Sequence, residues 1–216
     1  WDRTIDLVIL THPEYDHLSG LVSVLERYKV KNILWNGVKR ETLIFKQWEE
    51  GLKKEKALIV IARKGQKIKA GGLEVDILRP LESKVKDLAQ KNYINDTSIV
   101  SRFSFGKMSF LFPGDITKRI EQDLILDYPC SESEPCPLEV DVLKIAHHGS
   151  RTSTSEEFLA QVKPKLAVIS CAINSRYGFP HQQTLNSLQK SDIKALRTDE
   201  IGDVAITTDG AKITNY

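Results

Sequence analysis

All five histidines of this 216-residue chain fall in three short clusters, and each cluster follows an apolar run that reads as a strand. They are His12 and His17 in ILTHPEYDHLSGL, His147 and His148 in VLKIAHHGS, and His181 in RYGFPH. None is left over on a helix face or in a linker. A chain with its imidazoles placed this way is expected to bring them to one site. Asp16 adjoins the first cluster, and Asp115 ends another apolar run, FLFPGD. Imidazole and carboxylate together bind divalent metals, so the clusters predict a metal site.

The length fits one large α/β domain or two small ones, and the absence of a Gly/Ser linker favours a single domain over residues 1–216. At 41% hydrophobic and 28% charged residues, the composition is that of an ordinary globule with a sizeable core. No apolar run approaches the roughly 18 residues of a membrane span. The opening, WDRTIDL, places two charges ahead of any apolar stretch, unlike a signal peptide. Its first residue is Trp rather than Met, which predicts a piece of a longer protein. The net charge of +2 is small for a strong nucleic-acid binder. Lys53, Lys54 and Lys56, and Arg63, Lys64, Lys67 and Lys69, read more readily as solvated faces than as phosphate clamps. Cys130 and Cys136, in the polar loop YPCSESEPCPLE, are either a local disulfide suited to an oxidising compartment or two free thiols. Cys171 ends the run LAVISC and reads as a small buried hydrophobe.

Strands and helices alternate along the chain. Residues 5–10 form a nearly continuous apolar strand, and Leu18, Leu21, Val22, Leu25 and Tyr28 then recur at helical spacing. A strand at 32–35, a helix at 41–53 and a strand at 58–62 follow. Two short strands surround Gly71 and Gly72, and strands at 98–105 and 108–112 meet at Gly106-Lys107, a hairpin signal. Further helices are expected at 117–127, 154–162 and 182–190, strands at 140–145, 166–170 and 193–197, and a closing hairpin around Asp209-Gly210. The fold class is α/β, with two sheets in the middle and helices outside.

In the first cluster His12 comes just after a strand, and Glu14, two residues on, lies on the same side of an extended chain. Asp16 and His17 open a helix. One loop thus offers His12 and Glu14 to one metal and Asp16 and His17 to another, or else holds ordinary loop histidines and a helix cap. The arrangement resembles the HxHxDH signature of the metallo-β-lactamase superfamily, whose αββα sandwich is therefore the expected fold, here without its N-terminal strands. The chain departs from the signature at Glu14, where the second histidine of the pattern would stand. An oxygen in place of a nitrogen shifts preference toward harder ions, so two divalent ions are expected, Mn²⁺ favoured and Zn²⁺ or Mg²⁺ as alternatives. By the same resemblance Asp115 is the bridging carboxylate, and the paired histidines hold the last imidazole ligand. As adjacent strand-end residues they are expected to point opposite ways, with His148 preferred as the ligand and His147 behind the ligands or in contact with substrate.

HPEYDHLSGL, NDTSIV, LFPGDIT, LKIAHHGSRTS, SRYGFPHQQTL and LRTDEIGDVAITTDG together resemble the C-terminal domain of the ComEC family, inner-membrane channels for DNA uptake in natural transformation. What the resemblance implies is a metal-dependent nuclease acting on DNA, single-stranded by preference. Its parent would be membrane-embedded, with this domain on the extracytoplasmic side of the inner membrane. Asp16 would bind one metal and orient the nucleophile. Lys144 either holds a phosphate or the leaving oxygen as a point charge or is a strand-edge lysine pointing to water. His181 either donates to a phosphate or the leaving group or is a loop histidine packed beside Tyr177 and Phe179. Asn95 and Ser98 stand where relatives carry another histidine; Asn95 is a weak ligand, a phosphate contact or a residue that shapes a turn, and Ser98 and Ser150 would contact substrate. Two other functions stay open: a hydrolase of a small phosphodiester, lactone or β-lactam, and a degenerate domain that binds DNA without cleaving it or scaffolds a channel.

Overall fold

A computed structural model of the chain describes residues 3–131 and 136–215. In chain order the first elements are β1 (Thr4–Leu10), α1 (Tyr15–Arg27), β2 (Lys29–Trp35), α2 (Leu43–Lys54), β3 (Leu58–Ile61), β4 (Lys67–Ala70), β5 (Leu73–Arg79) and α3 (Glu82–Gln90). A 3₁₀ turn at Asn95–Thr97 leads to β6 (Val100–Phe105), β7 (Met108–Phe112), α4 (Lys118–Asp127) and β8 (Val142–Lys144). A second such turn at Ala146–Gly149 precedes α5 (Glu156–Val162), β9 (Leu166–Ile169), α6 (Gln182–Lys190), β10 (Lys194–Arg197), α7 (Thr198–Ile201), β11 (Thr207–Thr208) and β12 (Ile213–Asn215). Among the described residues no helix is long and apolar enough to cross a membrane. The chain forms two compact units, one of Trp1–Gln66 with Ile77–Val100, the other of Lys67–Asp76 with Ser101–Tyr216.

In the first unit β1, β2 and β3 form a parallel sheet in that order. Parallel neighbours need a crossover, and α1 and α2 provide the two crossovers. The apolar stripe read from Leu18 to Leu25 turns inward: Leu18 and Leu25 are buried with Val8, Leu10, Val30, Ile33, Trp35, Phe45 and Trp48 in one cluster. Thr42 caps α2 by accepting the Phe45 N–H, the role Thr is suited to at that position. The two helices approach closely at Gly51, where a Cβ would stand 2.9 Å from Leu25 Cδ1. A side chain there would have to push Leu25 aside.

In the second unit the sheet order is β10-β9-β8-β7-β6-β5-β4. The strands from β7 to β10 run parallel, and β6 meets β7 in the hairpin expected at Gly106-Lys107. Asp141 ties the sheet together: it accepts the Ser109 N–H at 2.9 Å and the Lys165 ammonium at 2.8 Å. Burial opposes its charge, yet the Lys165 and Ser109 bonds outweigh it and hold the carboxyl below the usual aspartate value. Glu121 in α4 is fully buried and accepts the N–H groups of Thr154 and Ser155, at the start of α5. Cys130 and Cys136 form a disulfide, which resolves the two readings of that loop. Cys171 is half-buried rather than buried, and burial pushes its thiol up to about 11.

Candidate metal centre

The first unit carries the first histidine cluster. Past Leu10, the Thr11 carbonyl accepts the Ile99 N–H at 3.0 Å, which lays the loop after β1 beside the segment carrying Asn95 and Ser98. His12 is fully buried there. Its Nδ1 lies 3.1 Å from Thr11 Oγ1 and 3.2 Å from Ser98 Oγ. The same Thr11 hydroxyl lies 3.3 Å from His17 Nδ1, and the two imidazole centroids are 4.3 Å apart. Burial of Leu18 turns α1 so that Asp16 is exposed and His17 half-buried in the first turn. A carboxylate is favoured there by the helix dipole. Asp16 Oδ2 is 3.8 Å from His17 Nε2.

Glu14 is placed differently from its expected partner. It precedes α1, and its carboxylate stands 3.4 Å from the Arg40 guanidinium at the surface, whereas His12 is enclosed. Ser98, read as a substrate contact, is fully buried against His12. Asn95 is half-buried at the start of its 3₁₀ turn.

In the second unit β7 ends at Phe112, and a turn through Gly114 (φ 63°) brings Asp115 into a nearly enclosed position. Gly114 O accepts the His147 N–H at 3.2 Å, linking that turn to the paired histidines. As adjacent strand-end residues His147 and His148 would point opposite ways. The structure corrects this: β8 stops at Lys144, and both histidines lie in a left-handed turn, φ 49° and 55°. His148 Nε2 faces Asp115 Oδ2 at 3.4 Å, and His148 Nδ1 sits 2.7 Å from the carbonyl of Ser170. A carbonyl only accepts, so Nδ1 carries a proton and the neutral ring presents its lone pair at Nε2. His147 instead places Nδ1 3.4 Å from Thr152 Oγ1 and its ring edge-on to Phe179.

The other expected residues of this unit surround that turn. Ser150 is buried, with Oγ 2.9 Å from Thr152 Oγ1. Lys144 folds its ammonium onto the Ile145 carbonyl at 3.1 Å. His181 stands at the N-cap position of α6 without a capping side-chain bond; its N–H donates to Gly149 O, and its Nδ1 accepts the Arg151 N–H at 3.1 Å. The neutral His181 ring therefore carries its proton on Nε2.

Each unit thus holds one imidazole whose Nε2 faces a carboxylate and whose Nδ1 rests on an oxygen. That is how metal-ligating histidines are usually oriented by their outer partners. The donor set, imidazole nitrogen with carboxylate oxygen, fits a divalent first-row ion. Thr11 was not singled out in the sequence as a functional residue, and Ser170 acts through its backbone, which no side-chain pattern reports. Thr11→Val is expected to lower divalent-metal affinity about 10- to 100-fold with the fold intact. Isothermal titration with Mn²⁺ checks this; an unchanged affinity would remove Thr11 from the site.

A fold of this kind with imidazole–carboxylate pairs is that of the Metallo-beta-lactamase superfamily, whose family profile matches residues 2–172. The chain belongs to that superfamily, and the fold implies divalent-metal binding and a metal-dependent hydrolase as the class. Its likeness to particular proteins is narrower. It is 34% identical over 207 residues to ComE operon protein 3 of Bacillus subtilis (strain 168), covering 94% of this chain and 24% of that protein. It is 34% identical over 131 residues to Competence protein ComA of Neisseria gonorrhoeae, covering 61% of this chain and 17% of that one. The chain therefore spans a quarter or less of these relatives. Among solved structures, its fold is shared by CmlA, a diiron beta-hydroxylase from Streptomyces venezuelae, with a TM-score of 0.55 at 15% identity over 91% of this chain and 44% of that one. The superfamily and the competence relatives are those that the sequence motifs resembled.

Proposed function

We propose that this chain is a metal-dependent phosphodiesterase that hydrolyses DNA, single strands in particular, during DNA uptake. The observation that carries this reading is the pairing of Asp115 with a tautomerically fixed His148, mirrored by Asp16 with His17, in a chain similar to a competence protein. Asp16 and His17 of the first unit would hold one divalent ion, and Asp115 and His148 of the second unit another. His12 completes the first set, and Mn²⁺ is the favoured ion. Glu14 would join them only by leaving Arg40. When bound, a divalent ion supplies charge neutralisation at a scissile phosphate and lowers the pKa of water toward neutrality.

The chain's own residues do the rest. Asp16, exposed at the head of α1, orients the attacking water. His181 holds a proton on Nε2 for the departing oxygen. Lys144 exchanges its carbonyl partner for a phosphate oxygen. His147 and Asn95 contact the strand. Ser98 and Ser150 act from behind, the first on His12 and the second on Thr152. The domain's place is the extracytoplasmic face of the inner membrane, as part of a membrane-embedded parent; the Cys130–Cys136 disulfide suits that oxidising side.

The test is direct. The chain is incubated with single-stranded DNA and Mn²⁺, Mg²⁺ or Zn²⁺, and in parallel with a β-lactam and a chromogenic phosphodiester. Cleavage of DNA that requires Mn²⁺ and stops with EDTA is the expected result. Turnover of the small substrates with DNA untouched would contradict it. The Glu14–Arg40 pair favours one second reading, a domain that binds DNA without cleaving it; that reading predicts less than one bound ion per folded chain.

A further inference from the structure

The segment between β9 and α6 carries an aromatic series that the hydrolytic chemistry does not use. Phe179 stacks on the His148 ring with 6.2 Å between centroids and planes 19° apart. Tyr177 stacks on Phe179 at 5.5 Å and 29°. The edges of His147 and His181 meet Phe179 at 5.5 and 5.2 Å. Phe179 is thus held by rings around it, while Tyr177 at the end of the series is 58% exposed. Gly178 between them has φ 70° and nothing within 4 Å of its Cβ position. The exposed Arg176 guanidinium lies 4.7 Å from the Tyr177 centroid and donates to its hydroxyl at 2.5 Å. An aromatic surface backed by a second ring and flanked by an exposed cation is the arrangement that takes an unpaired base and its phosphate. The ring face supplies stacking that any base satisfies, and the cation turns to the backbone.

We propose that Tyr177, braced by Phe179, is a stacking platform for a nucleobase of a single-stranded DNA substrate, with Arg176 displaced from the ring onto the neighbouring phosphate. Its bearing on substrate choice rests on the function proposed above. The platform puts one base of the strand two rings away from His148, so it selects strands whose bases are unpaired. Stacking on one aromatic side chain is worth about 1–3 kcal/mol per base by alanine substitution. At 1.4 kcal/mol per factor of ten, this predicts a loss of affinity of roughly 5- to 150-fold.

The experiment measures binding of a fluorescent single-stranded oligothymidylate by anisotropy, with the 216-residue chain in EDTA so that no cleavage is needed. Tyr177→Ala is expected to weaken binding by that factor, and Tyr177→Phe, which keeps the ring face, to stay within about twofold of wild type. On an oligonucleotide of the same length made entirely of abasic sites, wild type and Tyr177→Ala are expected to bind equally. Equal affinity of wild type and Tyr177→Ala for oligothymidylate overturns the proposal. So does an equal loss on the abasic strand, which would mark a fold or phosphate effect, and so does absence of wild-type binding. Base-dependent binding without any metal-supported cleavage would keep the platform and remove the nuclease reading. Cleavage with no base-dependent binding would do the reverse.

Discussion

Asp16→Ala is expected to lower DNA cleavage by about 10²–10³-fold or more, the range found when one preorganised group is removed from a reacting centre, while the protein stays folded. Both halves of this expectation come from where Asp16 sits. Its side chain is 58% exposed, and it stands in the first turn of a helix held by Leu18 and Leu25 on the opposite side. What it contributes to the fold is the interaction of an anion with a helix N-terminus, about 0.3–1 kcal/mol. For a chain of this length that lowers the melting temperature by roughly 1–4 °C. What it contributes to the proposed site is a ligand oxygen beside His17 Nε2 and an acceptor for the attacking water. Activity and stability are therefore expected to separate cleanly. Retained cleavage in the variant would remove Asp16 from the chemistry, and a collapsed fold would mean that its exposure misstates its role.

The second large effect concerns a residue with no chemistry. Gly149→Ala is expected to destabilise the protein by about 2–5 kcal/mol, combining a left-handed backbone cost with overpacking. Gly149 has φ 83°, and a Cβ there would lie 2.5 Å from Pro180 Cβ and 3.1 Å from Pro180 Cα. Its carbonyl accepts both the His181 N–H and the Thr184 hydroxyl. This one glycine therefore joins the turn of His147 and His148 to the segment of Phe179 and His181. Forcing them apart would shift His148 from Asp115, so metal affinity should fall along with stability. Thermal melting of the metal-free protein is expected to show a drop of about 4–20 °C. Gly20→Ala is the contrast: it lies in α1 with nothing within 4 Å of its Cβ position, and is expected to stabilise by about 0.5–1 kcal/mol. Equal melting of the two variants would refute the account of Gly149.

Apolar periodicity located the parallel strands because their runs are continuous: IDLVIL became β1, and the LAVI stretch became β9. Helix α3 was not read from the sequence, since ESKVKDLAQ has no fully buried residue and so no apolar stripe to notice. Expected strand 140–145 is only Val142–Lys144, and the closing hairpin is shorter than its alternation suggested. The candidate site was legible as a set of residue types but not as a set of directions. Period-two reasoning placed His147 and His148 on opposite sides, and a left-handed turn of two non-glycine residues, which carries no composition signal, set them otherwise. The same reasoning put Glu14 with His12, where a distant arginine, Arg40, holds its carboxylate. Disulfide formation at Cys130 and Cys136 was equally undecidable from spacing.

Everything functional here depends on divalent ions being held by the imidazole–carboxylate pairs. Anomalous scattering from crystals of the chain grown with Mn²⁺ tests that most directly. The account predicts two manganese peaks per chain, with Asp115 Oδ2 and His148 Nε2 among the ligands of one and Asp16 and His17 among those of the other. Crystals that diffract well and show no manganese at Asp115 and His148 would contradict it.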